Sequence, residues 1–150
     1  MGSVKTWEDA ESVCQSQTWG GVQGHLASVH SEEENIFVAS LAIEGLWLGL
    51  NDLHKEGQWS WTDGTSLGYS NWARGEPNNV GNNEHCMELP KSTDKQWNNG
   101  GCTSQRRFVC KLTKGNNNYL ITYMPLTTTS AITNNSASYP TCIFKTIHST

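Results

Sequence analysis

The chain contains five cysteines, and their positions limit how it can fold: Cys14, Cys86, Cys102, Cys110 and Cys142. No two of them have the C-x-x-C spacing of zinc fingers and thioredoxin-like redox sites, so both of these readings are excluded. The cysteines either stay as thiols, or form two disulfides and leave one cysteine over. Four paired cysteines allow three pairings, and the spacing by itself does not choose among these alternatives.

The composition indicates one loop-rich domain, as a length of 150 residues also predicts. Only 35% of the residues are hydrophobic but 7 are tryptophan, so the fold must rely on aromatic anchors and cross-links more than on a large aliphatic core. The net charge is −4 and no basic run occurs. Nucleic acid or an anionic membrane is therefore not the expected partner.

The two ends of the chain bear on its location. No segment approaches the ~20 apolar residues that a membrane span needs, and no signal peptide precedes the helix-like start at Thr6, so we interpret the chain as trimmed or as a fragment. Asn134-Asn135-Ser136 is a glycosylation sequon, which agrees weakly with secretion.

Two helices are predicted in the first third of the chain. The first begins at the N-cap Thr6, and its apolar face falls at helical spacing: Trp7, Ala10, Val13 and Cys14. The second begins with a capping-box pattern, in which Ser31 caps and Glu34 reaches back. Its predicted apolar stripe is Ile36, Phe37, Ser40 and Leu41.

Short strands and one long loop follow. Strands are predicted at 46–50, 58–61 and 107–110, while residues 71–101 are rich in asparagine, glycine and acids, as in a functional loop. Beyond Lys114 the polar low-complexity tracts predict a tail without regular structure. Within it, residues 119–123 alternate like a strand, and we hypothesise that they fold back antiparallel onto 107–110.

The order of these elements and of several short motifs resembles the C-type lectin family. The matching motifs are, in order, Gly24-His25-Leu26-Ala27-Ser28-Val29, Trp47-Leu48-Gly49-Leu50, Trp59-Ser60-Trp61-Thr62-Asp63-Gly64, Asn71-Trp72, Glu76-Pro77-Asn78 and Trp97-Asn98. The resemblance covers residues 4 to 112. It implies an α+β C-type lectin-like fold with two helices, short antiparallel sheets and a long calcium-binding loop region. The carbohydrate-recognition domain would span 4–113 and the tail 114–150.

The resemblance also implies a disulfide pairing and a calcium site. The disulfides would be Cys14–Cys110 and Cys86–Cys102, with Cys142 left over. The implied calcium ligands are Glu76, Asn78, Glu84, Asn98 and Asn99, with a cis bond before Pro77. Their carboxylate and amide oxygens suit calcium, and Glu76, Asn78, Glu84 and Asn98 would also bind hydroxyls of the sugar. Glu-Pro-Asn is similar to mannose-type members, which implies mannose, fucose or N-acetylglucosamine as ligand.

Two departures from the family pattern concern the metal sites. Asn99 stands where the family has an aspartate, so the side-chain charge of the principal site is −2 rather than −3, and a weak calcium site is expected. The positions of an auxiliary calcium site are Asp52, Glu56, Asn79, Glu84 and His85. Asn79 and His85 replace acids there, and imidazole is a poor calcium ligand, which argues against an auxiliary calcium ion.

Other readings of the same residues stay open. Asparagine-rich loops also form ordinary turns, Glu76 and Glu84 alone are typical of solvated surface acids, and Trp97 is typical of a core. The histidines are scattered and no catalytic motif is present, so an enzyme is not predicted. The serious alternative is a calcium-independent domain of the same fold that binds a protein. The implied location is secreted or extracellular.

Overall fold

The computed structural model describes residues 4–42, 44–92, 94–114 and 117–122. It contains the helices α1 (Trp7–Gln15) and α2 (Glu32–Ser40), and a 3₁₀ turn at Val80–Asn82. The strands are β1 (Thr18–Trp19), β2 (Val22–Gln23), β3 (His25–Leu26), β4 (Leu46–Asn51), β5 (Ser60–Trp61), β6 (Cys86–Leu89), β7 (Asn98–Gly100), β8 (Arg107–Lys114) and β9 (Asn117–Thr122). The helices and strands together form an α+β fold, as predicted.

The first helix follows the predicted pattern. Thr6 caps it, since its hydroxyl oxygen accepts a hydrogen bond from the backbone N–H of Asp9 at 3.3 Å. Trp7, Ala10 and Cys14 are buried on its inner face. Glu11 is buried as well, because its carboxylate accepts a hydrogen bond from the backbone N–H of Leu26 at 2.7 Å and so ties α1 to β3.

The second helix begins at the predicted cap but buries a different face. The Ser31 hydroxyl accepts from the Glu34 N–H at 3.2 Å, whereas the Glu34 carboxylate accepts from the N–H of His30 rather than from that of Ser31. The predicted apolar stripe is wrong at Ile36, which is 44% exposed. The buried side chains are Val38 and the polar Glu34 and Asn35, whose burial is supported by hydrogen bonds that the hydrophobic pattern does not reveal.

The strands form a mainly antiparallel sheet, as predicted, with one parallel pair of strands that makes it mixed. Its order is β3-β8-β4-β6-β7, with β5 paired to β4 and β9 paired to β8. Strands β4 and β8 run parallel, pairing Leu46 with Arg107 and Trp47 with Phe108, and all other pairs are antiparallel. The parallel pair is possible because more than fifty residues separate β4 from β8, which is ample for a crossover connection.

Strand β9 lies in the segment predicted to fold back. It spans Asn117–Thr122 and pairs antiparallel with β8 from Val109 to Lys114, while the N-terminal segment contributes one bridge, between Lys5 and Arg106. Tyr123, the rest of the tail, its sequon and Cys142 lie outside the described residues.

Two packed clusters hold the sheet to the helices. One lies under α1 and contains Trp7, Trp47 and Phe108, and the other lies under the long loops around Trp61 and Trp97. The indole N–H of Trp7 donates to the backbone oxygen of Leu48 at 2.8 Å, so this large side chain is buried without an unpaired donor. Trp97 is 0% exposed and is therefore part of the core, as is typical of a tryptophan.

Both disulfides have the pairing that the resemblance implies. Cys14–Cys110 joins α1 to β8, and Cys86–Cys102 joins β6 to the turn after β7. Backbones also approach closely where β3 crosses β4, because a Cβ atom at Gly49 would lie 2.6 Å from the carbonyl oxygen of Leu26. Only glycine fits at that crossing.

Candidate functional site

A tryptophan cluster fixes the base of the long loop. Trp72 and Trp97 form an isolated parallel bridge, with the N–H of Trp97 donating to the oxygen of Asn71 at 2.8 Å and the N–H of Ala73 donating to the oxygen of Trp97 at 2.9 Å. The ring of Trp72 also packs edge-on against Trp59 and Trp97. The residues that follow, 74 to 84, therefore start from a rigid platform next to β7.

The loop brings Glu76 and Asn78 together. The Glu76–Pro77 peptide bond is cis, as the resemblance implies, and the amide nitrogen of Asn78 donates to Glu76 Oε1 at 2.7 Å. The next turn is made by residues with positive φ, Asn79, Gly81 and Asn82, which the turn chemistry of asparagine and glycine permits. The reading of the asparagine-rich loop as an ordinary turn therefore applies to Asn79 and Asn82.

Asn99 closes the loop from the sheet side. It is 0% exposed, its Oδ1 accepts from the backbone N–H of Asn78 at 3.1 Å, and its Nδ2 donates to the backbone oxygen of Glu84 at 2.7 Å. An amide can make both contacts, because it carries a donor and an acceptor, whereas a carboxylate would present an oxygen to the Glu84 carbonyl. The residue that departs from the family pattern is therefore a structural link between two candidate ligands.

Glu84 contacts the turn that follows Asn78. Its Oε2 accepts from the backbone N–H of Val80 at 2.9 Å, and its own N–H donates to Asn79 Oδ1 at 2.9 Å. These contacts hold the short turn between the two acids. They also leave the second carboxylate oxygen of Glu84 for another partner.

Asn98 faces a different group from the other candidate ligands. It pairs with Glu88 across β6 and β7, and its Nδ2 donates to Glu88 Oε1 at 2.9 Å. Glu88 is 8% exposed and forms an ion pair with Arg106, whose guanidinium lies 5.0 Å from the centre of the Trp47 ring. Because a carboxylate only accepts hydrogen bonds, the amide nitrogen of Asn98 must face Glu88, and its oxygen is the atom that faces away.

Sequence reasoning missed Glu88 and Arg106. The only signal for Glu88 was its position two residues after Cys86, which puts it on the same face of β6 as the disulfide, and nothing in the sequence indicated that Arg106 would reach it.

The auxiliary positions form a second cluster, on the other side of the loop. His85 Nδ1 lies 3.0 Å from Asp52 Oδ1 and 3.3 Å from Glu56 Oε2, and the three ligand atoms lie within 4.8 Å of one another. Asn79 joins them through its Nδ2, which donates to Glu56 Oε2 at 2.7 Å. The carboxylate of Glu84 is not part of this cluster, because its Oε2 accepts a hydrogen bond from the backbone N–H of Val80.

Adjacent Glu84 and His85 therefore face different neighbours. Glu84 faces the turn at Val80, and His85 faces Asp52 and Glu56. The arrangement is not that of a carboxylate and an imidazole directed at one substrate.

A separate polar network braces the turn after β5 against the start of α2. The Ser28 hydroxyl donates to Asp63 Oδ2 at 2.5 Å, and His30 Nε2 lies 3.1 Å from the hydroxyls of both Ser28 and Thr65. Burial lowers the pKa of His30, and Lys111 adds to that shift. Burial alone would raise the pKa of Asp63, but the hydrogen bonds from Ser28 and Thr65 together lower it. This network is structural, since Ser28 is 1% exposed.

The fold and the loop define a known class of protein. The chain belongs to the C-type lectin family, since the model of the lectin C-type domain matches residues 3–112. Within the part of the chain that the structure describes, no helix is both long enough and apolar enough to span a bilayer.

Similar proteins fall in the same class. C-type lectin lectoxin-Lio1 of Erythrolamprus poecilogyrus is 42% identical over 113 residues, covering 71% of this chain and 68% of that protein. The alpha-N-acetylgalactosamine-specific lectin of Patiria pectinifera is 38% identical over 125 residues, covering 77% of this chain and 73% of that protein. These relatives include a protein named for a sugar, so the family contains carbohydrate-binding members.

Solved structures show the same fold. The C-type lectin CEL-I of Cucumaria echinata superposes with a TM-score of 0.71 at 35% identity, covering 75% of this chain and 86% of that one. A calcium-independent type II antifreeze protein superposes with a TM-score of 0.65 at 33% identity, covering 73% and 79%. The fold is thus shared by a lectin and by a protein that is named as independent of calcium.

Proposed function

We propose that the chain binds a carbohydrate through a calcium ion held by Glu76, Asn78, Glu84, Asn98 and Asn99. The observation that carries this proposal is the state of the Glu76 carboxylate. Its Oε1 accepts from Asn78, whereas its Oε2 is buried and has no hydrogen-bond partner within the described residues. An unpaired buried carboxylate oxygen is costly, and a hard cation at that oxygen removes the cost.

The remaining donors suit the same ion. Calcium takes six to eight oxygens, and the loop offers two carboxylates together with the amide oxygens of Asn78, Asn98 and Asn99. The contact between Asn98 and Glu88 directs the amide oxygen of Asn98 away from Glu88, which supports a role for this oxygen as a ligand. When bound, calcium supplies coordination positions for two neighbouring sugar hydroxyls. Glu76 and Glu84 would accept hydrogen bonds from those hydroxyls, and the amides of Asn78 and Asn98 would donate to them.

The sugar class follows from the residue order. Glu76-Pro77-Asn78 resembles the mannose-type members, and this supports mannose, fucose or N-acetylglucosamine as ligand. Membership of the family does not fix the sugar, because one relative is named for N-acetylgalactosamine.

The proposed affinity for calcium is low. With Asn99 in place of an aspartate, Glu76 and Glu84 are the only acids among the proposed ligands. Fewer charged ligands weaken calcium binding, so we expect a dissociation constant of about 10⁻⁴–10⁻³ M, the range of extracellular modules. An extracellular or secreted location agrees with this affinity and with two disulfides, which persist in oxidising compartments.

A second candidate function is calcium-independent binding of a protein by the same loops. The observation that favours it is the double hydrogen bond of Asn99, which joins the backbone at Asn78 to the backbone at Glu84 through an uncharged side chain. The solved structure named as a calcium-independent antifreeze protein is a similar chain, so this fold does occur without dependence on calcium.

Affinity chromatography distinguishes the two functions. In calcium, the chain should be retained on mannose-agarose and released by EDTA. The variant Glu76→Gln should pass through, because it lowers the charge at the site, while Glu8→Gln, which changes an exposed acid of α1, should be retained.

Two outcomes would contradict the lectin proposal. One is retention that survives EDTA. The other is absence of retention on mannose, fucose and galactose resins together with no rise in melting temperature on adding calcium. The second outcome would favour the protein-binding alternative.

A further inference from the structure

The cluster at the auxiliary position does not fit calcium. Calcium requires six to eight oxygen ligands, but this cluster offers two carboxylates, from Asp52 and Glu56, beside the imidazole of His85. The oxygen of Asn79, which could add a ligand, accepts a hydrogen bond from the N–H of Glu84 instead. A nitrogen donor and so few oxygens are typical of a borderline metal rather than a hard one.

The same three groups fit a zinc ion. Zinc binds imidazole nitrogen and carboxylate oxygen at about 2.0–2.2 Å in tetrahedral geometry, which puts neighbouring ligand atoms about 3.3 Å apart. His85 Nδ1 lies 3.0 Å from one carboxylate oxygen and 3.3 Å from the other. The same oxygen of Glu56 accepts a hydrogen bond from Asn79 Nδ2 at 2.7 Å, so the loop itself holds the second carboxylate beside the imidazole.

Neighbouring groups fix one ligand of the cluster and leave another open to solvent. The side chain of Asp52 is 1% exposed, and its second oxygen accepts from the backbone N–H of Gly57 at 2.8 Å, which fixes the carboxylate with Oδ1 toward His85. The side chain of Glu56 is 60% exposed. One rigid buried ligand and one ligand open to water leave a fourth position for solvent, as in zinc sites with three protein ligands.

We propose that Asp52, Glu56 and His85 form a site for Zn²⁺, distinct from the calcium site proposed at Glu76 and Glu84. The ion would link the turn after β4 to the residue before β6, two segments that are far apart in sequence. Zinc at this site therefore stabilises the base of the sugar-binding loop, and its binding does not depend on whether the loop binds sugar.

The test is zinc titration of the full chain by calorimetry and by thermal unfolding, in the presence of millimolar calcium. We expect one zinc ion per chain, and a rise in melting temperature of roughly 5–10 °C at about a hundredfold excess over the dissociation constant. His85→Gln and Glu56→Gln should each weaken zinc binding at least about 10-fold, because even groups that only orient a metal ligand have effects of that size.

Matched controls keep the result specific. His54→Gln removes a nearby exposed histidine that is not in the cluster, and Cys142→Ser removes a cysteine that could bind zinc elsewhere; both should bind zinc like the unchanged chain. His85→Gln should keep the circular dichroism spectrum and the cooperative thermal unfolding of the unchanged chain in the absence of zinc if it is folded normally.

Three results would overturn the zinc site. These are no zinc-dependent shift in the unchanged chain, an equal shift in His85→Gln, or displacement of zinc by calcium at equal concentration. In the first case the three side chains form a hydrogen-bonded cluster only. None of these results bears on retention by mannose-agarose, so the two proposals can fail separately.

Discussion

At the scale of single residues, Asn99 links the two sides of the loop. Its amide connects the backbone N–H of Asn78 to the backbone oxygen of Glu84. The same amide lowers the negative charge of the proposed calcium site. Stability without metal and affinity for metal are therefore opposed at this one position.

The substitution Asn99→Asp should separate these two effects. Without calcium, the new carboxylate loses the donor to the Glu84 oxygen, and we expect a loss of about 1–3 kcal/mol in the free energy of unfolding, the usual cost of an unsatisfied buried group. With calcium, the extra charge should tighten calcium binding. Denaturant unfolding with and without EDTA, together with calcium titration, measures both.

The control for this variant is Asn82→Asp, which introduces the same charge at an exposed position of the same loop. It should leave the unfolding free energy in EDTA nearly unchanged. Calcium binding by Asn99→Asp no tighter than that of the unchanged chain would argue against Asn99 as a ligand.

At the scale of elements, the buried polar contacts explain where the sequence patterns succeeded and where they failed. The α1 face was predictable, because its buried positions are mostly apolar and helically spaced. The α2 stripe was not, because Asn35 is buried by accepting the indole N–H of Trp97 at 2.7 Å and by donating to the oxygen of Lys95. Glu34 is buried through Lys111, which lies 3.1 Å away. These hydrogen-bond partners lie 60 to 77 residues away in sequence, so the hydrophobic pattern of α2 could not reveal them.

Strand β9 leads to a prediction about β8. A chain ending at Lys114 would expose the N–H and C=O groups of β8 from Val109 to Lys114, now paired with β9. We expect its melting temperature to fall relative to a chain ending at Thr122, which retains the strand. Equal melting temperatures for the two truncated chains would show that β9 adds nothing to stability.

At the scale of the whole molecule, the two disulfides act on different properties. Cys14–Cys110 closes a loop with a sequence separation of 96 and links the helical half to the last long strand. Cys86–Cys102 has a separation of 16 and lies beside the loops of both proposed metal sites. The first therefore restrains residues 14 to 110 of the unfolded chain, and the second restrains mainly the site.

Replacing each pair by serine should reveal this division. In the chain-entropy model the long closure is worth about 4–5 kcal/mol and the short one about 3 kcal/mol, measured as the loss in unfolding free energy in guanidinium. Sugar retention should respond in the opposite order, with the larger loss on removal of Cys86–Cys102. Equal effects of both replacements on retention, at a temperature where both variants are folded, would contradict the division.

The sequence by itself determined both helix starts, because the capping residues stand in a fixed order along the chain. Through the resemblance to the C-type lectin family it also determined the family, the disulfide pairing, the residues of the candidate loop and the grouping of Asp52, Glu56 and His85 at one auxiliary site. Only the tertiary structure decided the parallel pairing of β4 with β8, the polar burial of α2, and the contact between Asn98 and Glu88. These features arise between segments distant in sequence. Their stability depends on which buried donor pairs with which acceptor in three dimensions. The local periodicity of the sequence carries no information about these pairs.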